Sequence, residues 1–236
     1  MTAVLTARER ARRELSAEIL GAARRQLAEV GAAGLSVRAV ARDLGMASSA
    51  VYRYFATRDE LLTALIVQAY GSCADAVEAA CAAGGGRTAR DRFSAGCAAL
   101  RRWAVHHPHE FALVHGSPVP GYRGDASTTA AGSRSPLALL AVLADADADA
   151  EAGRPGVRTR QPGPLLREQA GRVLAAAAGG PAAAASPEVV VAGARAWTAL
   201  LGLVSSELFG QLANTFDPAD AFFAEAVESL ADDLGL

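Results

Sequence analysis

The chain contains no lysine: each of its 23 basic side chains is an arginine. Cysteine and aromatic residues are scarce as well, with three Cys and 6% Phe, Trp and Tyr combined. Cys73, Cys81 and Cys97 are odd in number and lack CxxC spacing, which argues against a disulfide framework and fits a reducing, cytoplasmic setting. A secretory leader is not expected, because the first thirty residues carry Arg and Glu where an apolar run would be needed. Long apolar runs are also missing. The best candidate, 189–213, is interrupted by Arg195 and Glu207, leaving 11 uncharged residues between them, too few to span a bilayer. No membrane partner is expected. There is no GxSxG elbow, Walker loop or GxGxxG, and Gly84 to Gly86 lack the following Lys of a phosphate loop, so neither an enzyme nor a cofactor is expected. A Cys97 and His107 nucleophile pair is conceivable, but no third residue is at hand to orient it.

What the chain has in abundance is alanine, about a quarter of its 236 residues. With 51% hydrophobic residues, 20% charged and a net charge of -2, it is a globular chain. Alanine is the best helix former and β-branched alternation is rare, so the expected fold class is all-α. The near-zero charge hides an asymmetry. Residues 1–58 hold ten Arg against five acids, a balance of +5, while the remaining 178 hold 13 Arg against 20 acids, a balance of -7. A basic head on an acidic body points to a polyanion partner at the N-terminal end.

The order of segments sharpens this. From Arg8 to Val30, apolar residues at Leu15, Ile19, Ala22, Ala23, Leu27 and Val30 form a 3.6-residue stripe, which predicts one long amphipathic helix. Gly31 and Gly34 end it. Ser36 then stands as N-cap of a short helix whose inner face is Val37, Val40, Ala41 and Leu44, and Gly45 supplies the left-handed turn after it. Ala47, Val51 and Phe55 define the inner face of a third short helix. Thr57 with Glu60 forms a capping box for a fourth, which should run to about Ala83. Two short helices joined by a Gly turn make a helix-turn-helix. The exposed face of its second helix carries Ser48, Ser49, Tyr52 and Arg53, with no acid and no aliphatic residue. Such a helix fits a DNA major groove, where Arg pairs with guanine and Ser with several base edges.

The stretch from Leu35 to Leu62 closely resembles the DNA-binding segment of the TetR family of bacterial transcriptional regulators. The resemblance rests on the Ser36 cap, Ala41, Gly45, the run from Val51 to Phe55, and Arg58 to Leu61. It implies an all-helical homodimer with an N-terminal three-helix helix-turn-helix domain, here 1–60, and a larger C-terminal ligand-binding and dimerisation domain, 61–236. By position it implies that Ser36, Arg38, Tyr52 and Arg58 contact phosphate and that Ser48, Ser49 and Arg53 face bases of a double-stranded operator. Ala47 and Ala50 are smaller than the polar residues or Gly often found there, so the operator is not inherited from a relative. Repression relieved by a small effector is the family's usual mode.

In the body, helices are expected from Thr88 to His107, Glu110 to Gly116, 135–148 and 164–179. A Gly, Pro and Ser stretch from Ser117 to Arg134 and a mobile loop from Asp149 to Gly163 separate them. Alternating Asp and Ala at 144–150 do not read as a metal box, because residues two apart on a helix point about 200 degrees from each other. His106, His107 and His109 read as helix-end caps rather than metal ligands. Trp103, His107, Phe111, His115 and Tyr122 are expected to line part of a cavity for an apolar or aromatic effector, with ordinary core packing as the alternative. The segments 103–122 and 195–212 further resemble, more loosely, a C-terminal domain type of actinobacterial TetR-like regulators. The helix from Pro187 to Ala213 is apolar around most of its circumference, and another opens at Asp217 and Pro218. Trp197, Leu201, Val204, Leu208, Phe222 and Val227 are the expected interface of an isologous dimer built from these two helices.

Overall fold

The computed structural model describes residues 6–82, 87–151 and 156–236. Every regular element among the described residues is an α-helix, ten in all: α1 (Ala7–Gly34), α2 (Val37–Asp43), α3 (Ser48–Val51), α4 (Arg58–Ala82), α5 (Ala89–His106), α6 (Pro108–His115), α7 (Ala126–Glu151), α8 (Pro164–Ala176), α9 (Pro187–Leu208) and α10 (Asp220–Leu234). The expected all-α class holds. The expected break at Gly84 to Gly86 lies outside the described residues.

Two compact units divide the chain. The first comprises residues up to Ala69 together with His109–Thr129, and the second Tyr70–Pro108 together with Ala130–Leu236. The division falls inside α4, and the first unit includes most of α6, whereas the sequence suggests a boundary near residue 60.

In the first unit, Thr6 and Glu9 form a reciprocal capping box at the start of α1. Ile19, Leu20, Ala22, Ala23 and Leu27 bury its inner stripe, but Val30 is exposed. Gly31, at φ 69°, breaks the helix, a conformation that costs any side-chain-bearing residue roughly 1–2 kcal/mol. The α2 helix ends in a Schellman motif: Met46 N–H donates to the Ala41 carbonyl at 2.8 Å and Gly45 N–H to the Arg42 carbonyl at 3.1 Å. Gly45 has φ 63°, and a Cβ there would meet nothing within 4 Å, so the turn needs glycine for its backbone and not for space. The capping box at Thr57 is half formed. Glu60 N–H donates to Thr57 Oγ1 at 3.0 Å, but the Glu60 carboxylate accepts from Ala56 N–H at 2.8 Å.

In the second unit, α8 packs on α9, and α5, α9 and α10 pack on one another. Gly96 on α5 admits close neighbours: a Cβ there would lie 2.6 Å from Cys81 Sγ and 2.8 Å from Leu139 Cδ2. Arg101 is the polar joint of this packing, holding Glu207 through Nε and Nη2 at 2.7 Å each and Asp220 through Nη1 at 2.9 Å. By length and composition α9 is apolar enough to cross a membrane, although Arg195 and Glu207 interrupt it. Its Glu207, however, is held by α5, and Val189, Val190, Leu200 and Val204 are buried against the unit's other helices.

Two expectations about connections are corrected. Residues 126–134 are helical, because Asp125 caps α7, its Oδ1 accepting from Ser127 N–H at 2.8 Å and Thr128 N–H at 3.1 Å. Of the expected mobile loop, 149–151 belong to α7 and 152–155 lie outside the described residues. Its described part is held at one point, where Val157 is buried and Arg158 N–H donates to the Leu234 carbonyl at 2.7 Å.

Candidate nucleic-acid interface

Buried residues set the direction of every exposed side chain on the helix-turn-helix. Val37, Val40 and Ala41 point α2 inward, and fully buried Val51 does the same for α3. Continuous helix stops at Val51, but Tyr52 N–H still donates to the Ser48 carbonyl at 3.0 Å and Phe55 N–H to that of Val51 at 3.1 Å. The i, i+4 relation between Ser48 and Tyr52 therefore survives. Ser49, Tyr52 and Arg53 are exposed, and Ser48 is half-buried. Ala47, expected on the inner face, is exposed because it is the extended N-cap of α3. Ser36 occupies the N-cap of α2, yet its hydroxyl makes no capping bond, and its N–H donates to Gln26 Oε1 at 2.6 Å.

The electrostatics favour an anion. Among the described residues, the guanidinium groups of Arg38 and Arg53 have no carboxylate within ion-pair reach. Nor has Arg42, a cation four residues after Arg38 on α2 that no sequence motif singles out. The nearby acids are engaged elsewhere: Asp43 with Arg25 at 2.7 Å, and Glu60 with Ala56 N–H. Arg58, expected at a phosphate, is half-buried and donates to the Leu35 and Ala32 carbonyls at 3.0 and 2.7 Å. Its task here is to cap the end of α1.

Residues 19–65, spanning this helix-turn-helix, match the family described as bacterial regulatory proteins, tetR family, and residues 93–230 match the tetracyclin repressor-like C-terminal domain. The chain belongs to the TetR family. It is similar to the HTH-type transcriptional regulators Rv1816 of Mycobacterium tuberculosis and Mb1846 of Mycobacterium bovis, each 50% identical over 123 residues, 52% of this chain and 53% of the relative. The chain thus spans about half the length of the curated relatives it matches. Among solved structures, regulatory protein SCO4313 is 33% identical with a TM-score of 0.72, the match covering 96% of this chain and all of that one. A protein from Rhodococcus sp. RHA1 shares the fold at 23% identity, with a TM-score of 0.69 and coverage of 94% of this chain and 96% of that chain.

The other expected site residues of this TetR-family chain are divided between the two units. Trp103 and His107 lie in the second unit, where their rings stack at 5.3 Å and Trp103 Nε1 donates to Ser72 Oγ at 3.0 Å. Phe111, His115 and Tyr122 lie in the first. There Phe111 and His115 are in ring contact at 5.0 Å, and Tyr122 Oη is 2.9 Å from Thr63 Oγ1. Burial drives the His115 pKa down to about 4. Nδ1 of His106 and of His107 donates to a carbonyl four residues back, the helix-end capping expected of them. Burial holds Cys97 in its thiol form, and ten residues of α5 separate it from His107 by about 15 Å, so they form no nucleophile pair.

A cavity of about 800 Å³ opens elsewhere, among α8, α9 and α10, lined by Leu166, Val173, Val190, Arg195, Leu230 and Asp233 with their neighbours. Of the six expected dimer residues, Val204 and Val227 are 0% and 4% exposed within the single chain, so they belong to its core and not to an interface. Trp197, Leu201, Leu208 and Phe222 are half-buried, on the outer side of the same helices.

Proposed function

We propose that this regulator is a cytoplasmic homodimer that represses transcription from a two-fold operator and leaves it when a small apolar or aromatic molecule binds. The observation that carries the DNA reading is the acid-free face of Ser48, Ser49, Tyr52 and Arg53, with an unpaired Arg53 guanidinium at its centre. In this reading Arg53, Ser48 and Ser49 meet base edges, while Ser36, Arg38 and Tyr52 meet phosphates. The two recognition segments of the dimer enter successive major grooves about 34 Å apart.

The effector site in this reading is the cavity among α8, α9 and α10. It has apolar walls and a few polar groups, Gln169, Arg195 and Asp233, the pattern of small-molecule sites. It shares α9 and α10 with the outer face bearing Trp197, Leu201 and Phe222, the proposed dimer contact. A ligand there would favour one arrangement of the two copies over another, and so one half-site spacing. The test is a thermal-shift screen of apolar and aromatic compounds, followed by the effect of each binder on the DNA complex. A compound that raises the melting temperature and releases DNA supports the reading, with both effects weakened by Leu166→Arg. If every binder leaves the complex intact, regulation by a small effector is excluded for that set.

A further inference from the structure

The start of α1 is exposed from Ala7 to Glu14, and Leu15 and Ser16 are half-buried. The first fully buried side chain on the helix is Ile19, so the twelve residues from Ala7 to Glu18 extend about 18 Å beyond it. Arg8 and Arg12 fall on the same helical stripe as Ile19 and Ala23, at spacings of four, seven and four residues. The stripe that is apolar and buried along the bundle is therefore cationic where the helix leaves it. Arg13 lies about 110 degrees round the helix from this stripe and Arg10 on the opposite face, and all four arginines are exposed.

None of the four has a carboxylate within ion-pair distance among the described residues. Glu9 is occupied by Thr6, whose N–H and hydroxyl donate to it at 2.9 and 2.8 Å. Glu14 is exposed and pairs with none of them. Like charges at i and i+4 destabilise a helix, and no ion pair inside the chain offsets Arg8 and Arg12. One contact fixes the location of the arm. The Arg12 guanidinium lies 6.0 Å over the ring of Tyr54, the residue directly after Arg53. The cationic stretch thus sits beside the helix-turn-helix within one compact unit.

We propose that Arg8, Arg12 and Arg13 form an arm that grips the phosphate backbone of the same duplex, outside the groove read by Arg53. The proposal rests on the DNA reading above. Arg12 is positioned by Tyr54, while Arg8 and Arg13 reach phosphate oxygens as exposed cations. These contacts add affinity and salt dependence without adding sequence preference.

The test uses duplexes selected by the wild-type protein from a random pool, with the double variant Arg8→Gln, Arg13→Gln. These side chains make no hydrogen bond or ion pair within the fold, so the variant keeps its melting temperature. Each phosphate that is no longer neutralised lowers the slope of log affinity against log salt concentration by about 0.9, so a total drop of roughly 3–4 is expected for a dimer that loses two arginines from each copy. The ranking of selected sequences stays the same, and hydroxyl-radical protection of sugars beyond the half-sites disappears. Selective binding by the wild type with an unchanged slope and footprint in the variant overturns the arm alone. Absence of selective binding by the wild type overturns the DNA reading and the arm with it.

Discussion

Arg58 fastens the start of α4 to the end of α1: its Nε donates to the Leu35 carbonyl at 3.0 Å and its Nη2 to the Ala32 carbonyl at 2.7 Å. Gly31 breaks α1 near its end, where the Ala32 carbonyl has a long bond from Leu35 N–H at 3.4 Å and the guanidinium supplies a closer partner. Arg58→Ala should lower the stability of the protein by about 2 kcal/mol, the typical cost of losing hydrogen bonds from a charged donor. Below the melting transition, the salt dependence of DNA binding should stay at the wild-type slope. Denaturant unfolding and binding titrations measured side by side decide the matter. A fall of about 0.9 in slope with unchanged stability would make Arg58 a phosphate ligand after all.

The outer and inner residues of α9 should behave differently. Leu201 is half-buried on the side away from the core, while Val204 is fully buried. Leu201→Arg should shift sedimentation toward the 24.1 kDa single chain and leave its melting cooperative. Val204→Ala should lower stability by about 2 kcal/mol with the assembly state unchanged at working concentrations. Equal effects of the two variants on assembly would refute this division of the helix.

That division was not legible in the sequence, for a physical reason. A helix apolar around most of its circumference has no polar face to mark the outside, so Val204 and Leu201 read alike. The helix-turn-helix was legible because it has contrast: Val37, Val40, Ala41 and Val51 on one side, Ser, Tyr and Arg on the other, and Gly45 between. Even there, the destination of Arg58 depended on carbonyls exposed 23 residues away. Asp125 was a readable cap for α7, but the Gly, Pro and Ser residues around it masked the signal. The few aromatics drew the expected effector pocket to residues 103–122, where Trp103 and Phe111 are each buried within their own unit. The cavity among α8, α9 and α10 arises from ordinary Leu, Val and Ala at positions that only tertiary packing brings together.

His115 gives the protein a pH signature. Burial lowers its pKa from 6.5 to about 4, so between these values the unfolded chain binds a proton at this site that the folded chain does not. The stabilisation is fully present above about 6.5 and is lost as the pH falls toward 4. The carboxylates of Glu9, Asp91, Asp125 and Asp220 have lowered pKa values, so the stabilisation they give is present above the ordinary carboxylate range and is lost as the pH falls through it and below. Unfolding free energies at pH 7, 6, 5 and 4.5 should fall steadily in the wild type, with a smaller decline in His115→Gln. Identical profiles would remove His115 as the source.

The central claim, that the exposed face of α3 and the turn after it read DNA sequence, is tested most directly at Arg53. Equilibrium binding of wild type and Arg53→Ala to a selected duplex and to a scrambled one of equal length, at the same salt concentration, gives the specificity ratio. A bidentate arginine contact to a guanine contributes about 1–3 kcal/mol of discrimination. The ratio should therefore fall roughly 5- to 150-fold per half-site, while affinity for the scrambled duplex changes little. A wild type that binds both duplexes equally, or an Arg53→Ala variant that keeps the wild-type ratio, would contradict the account.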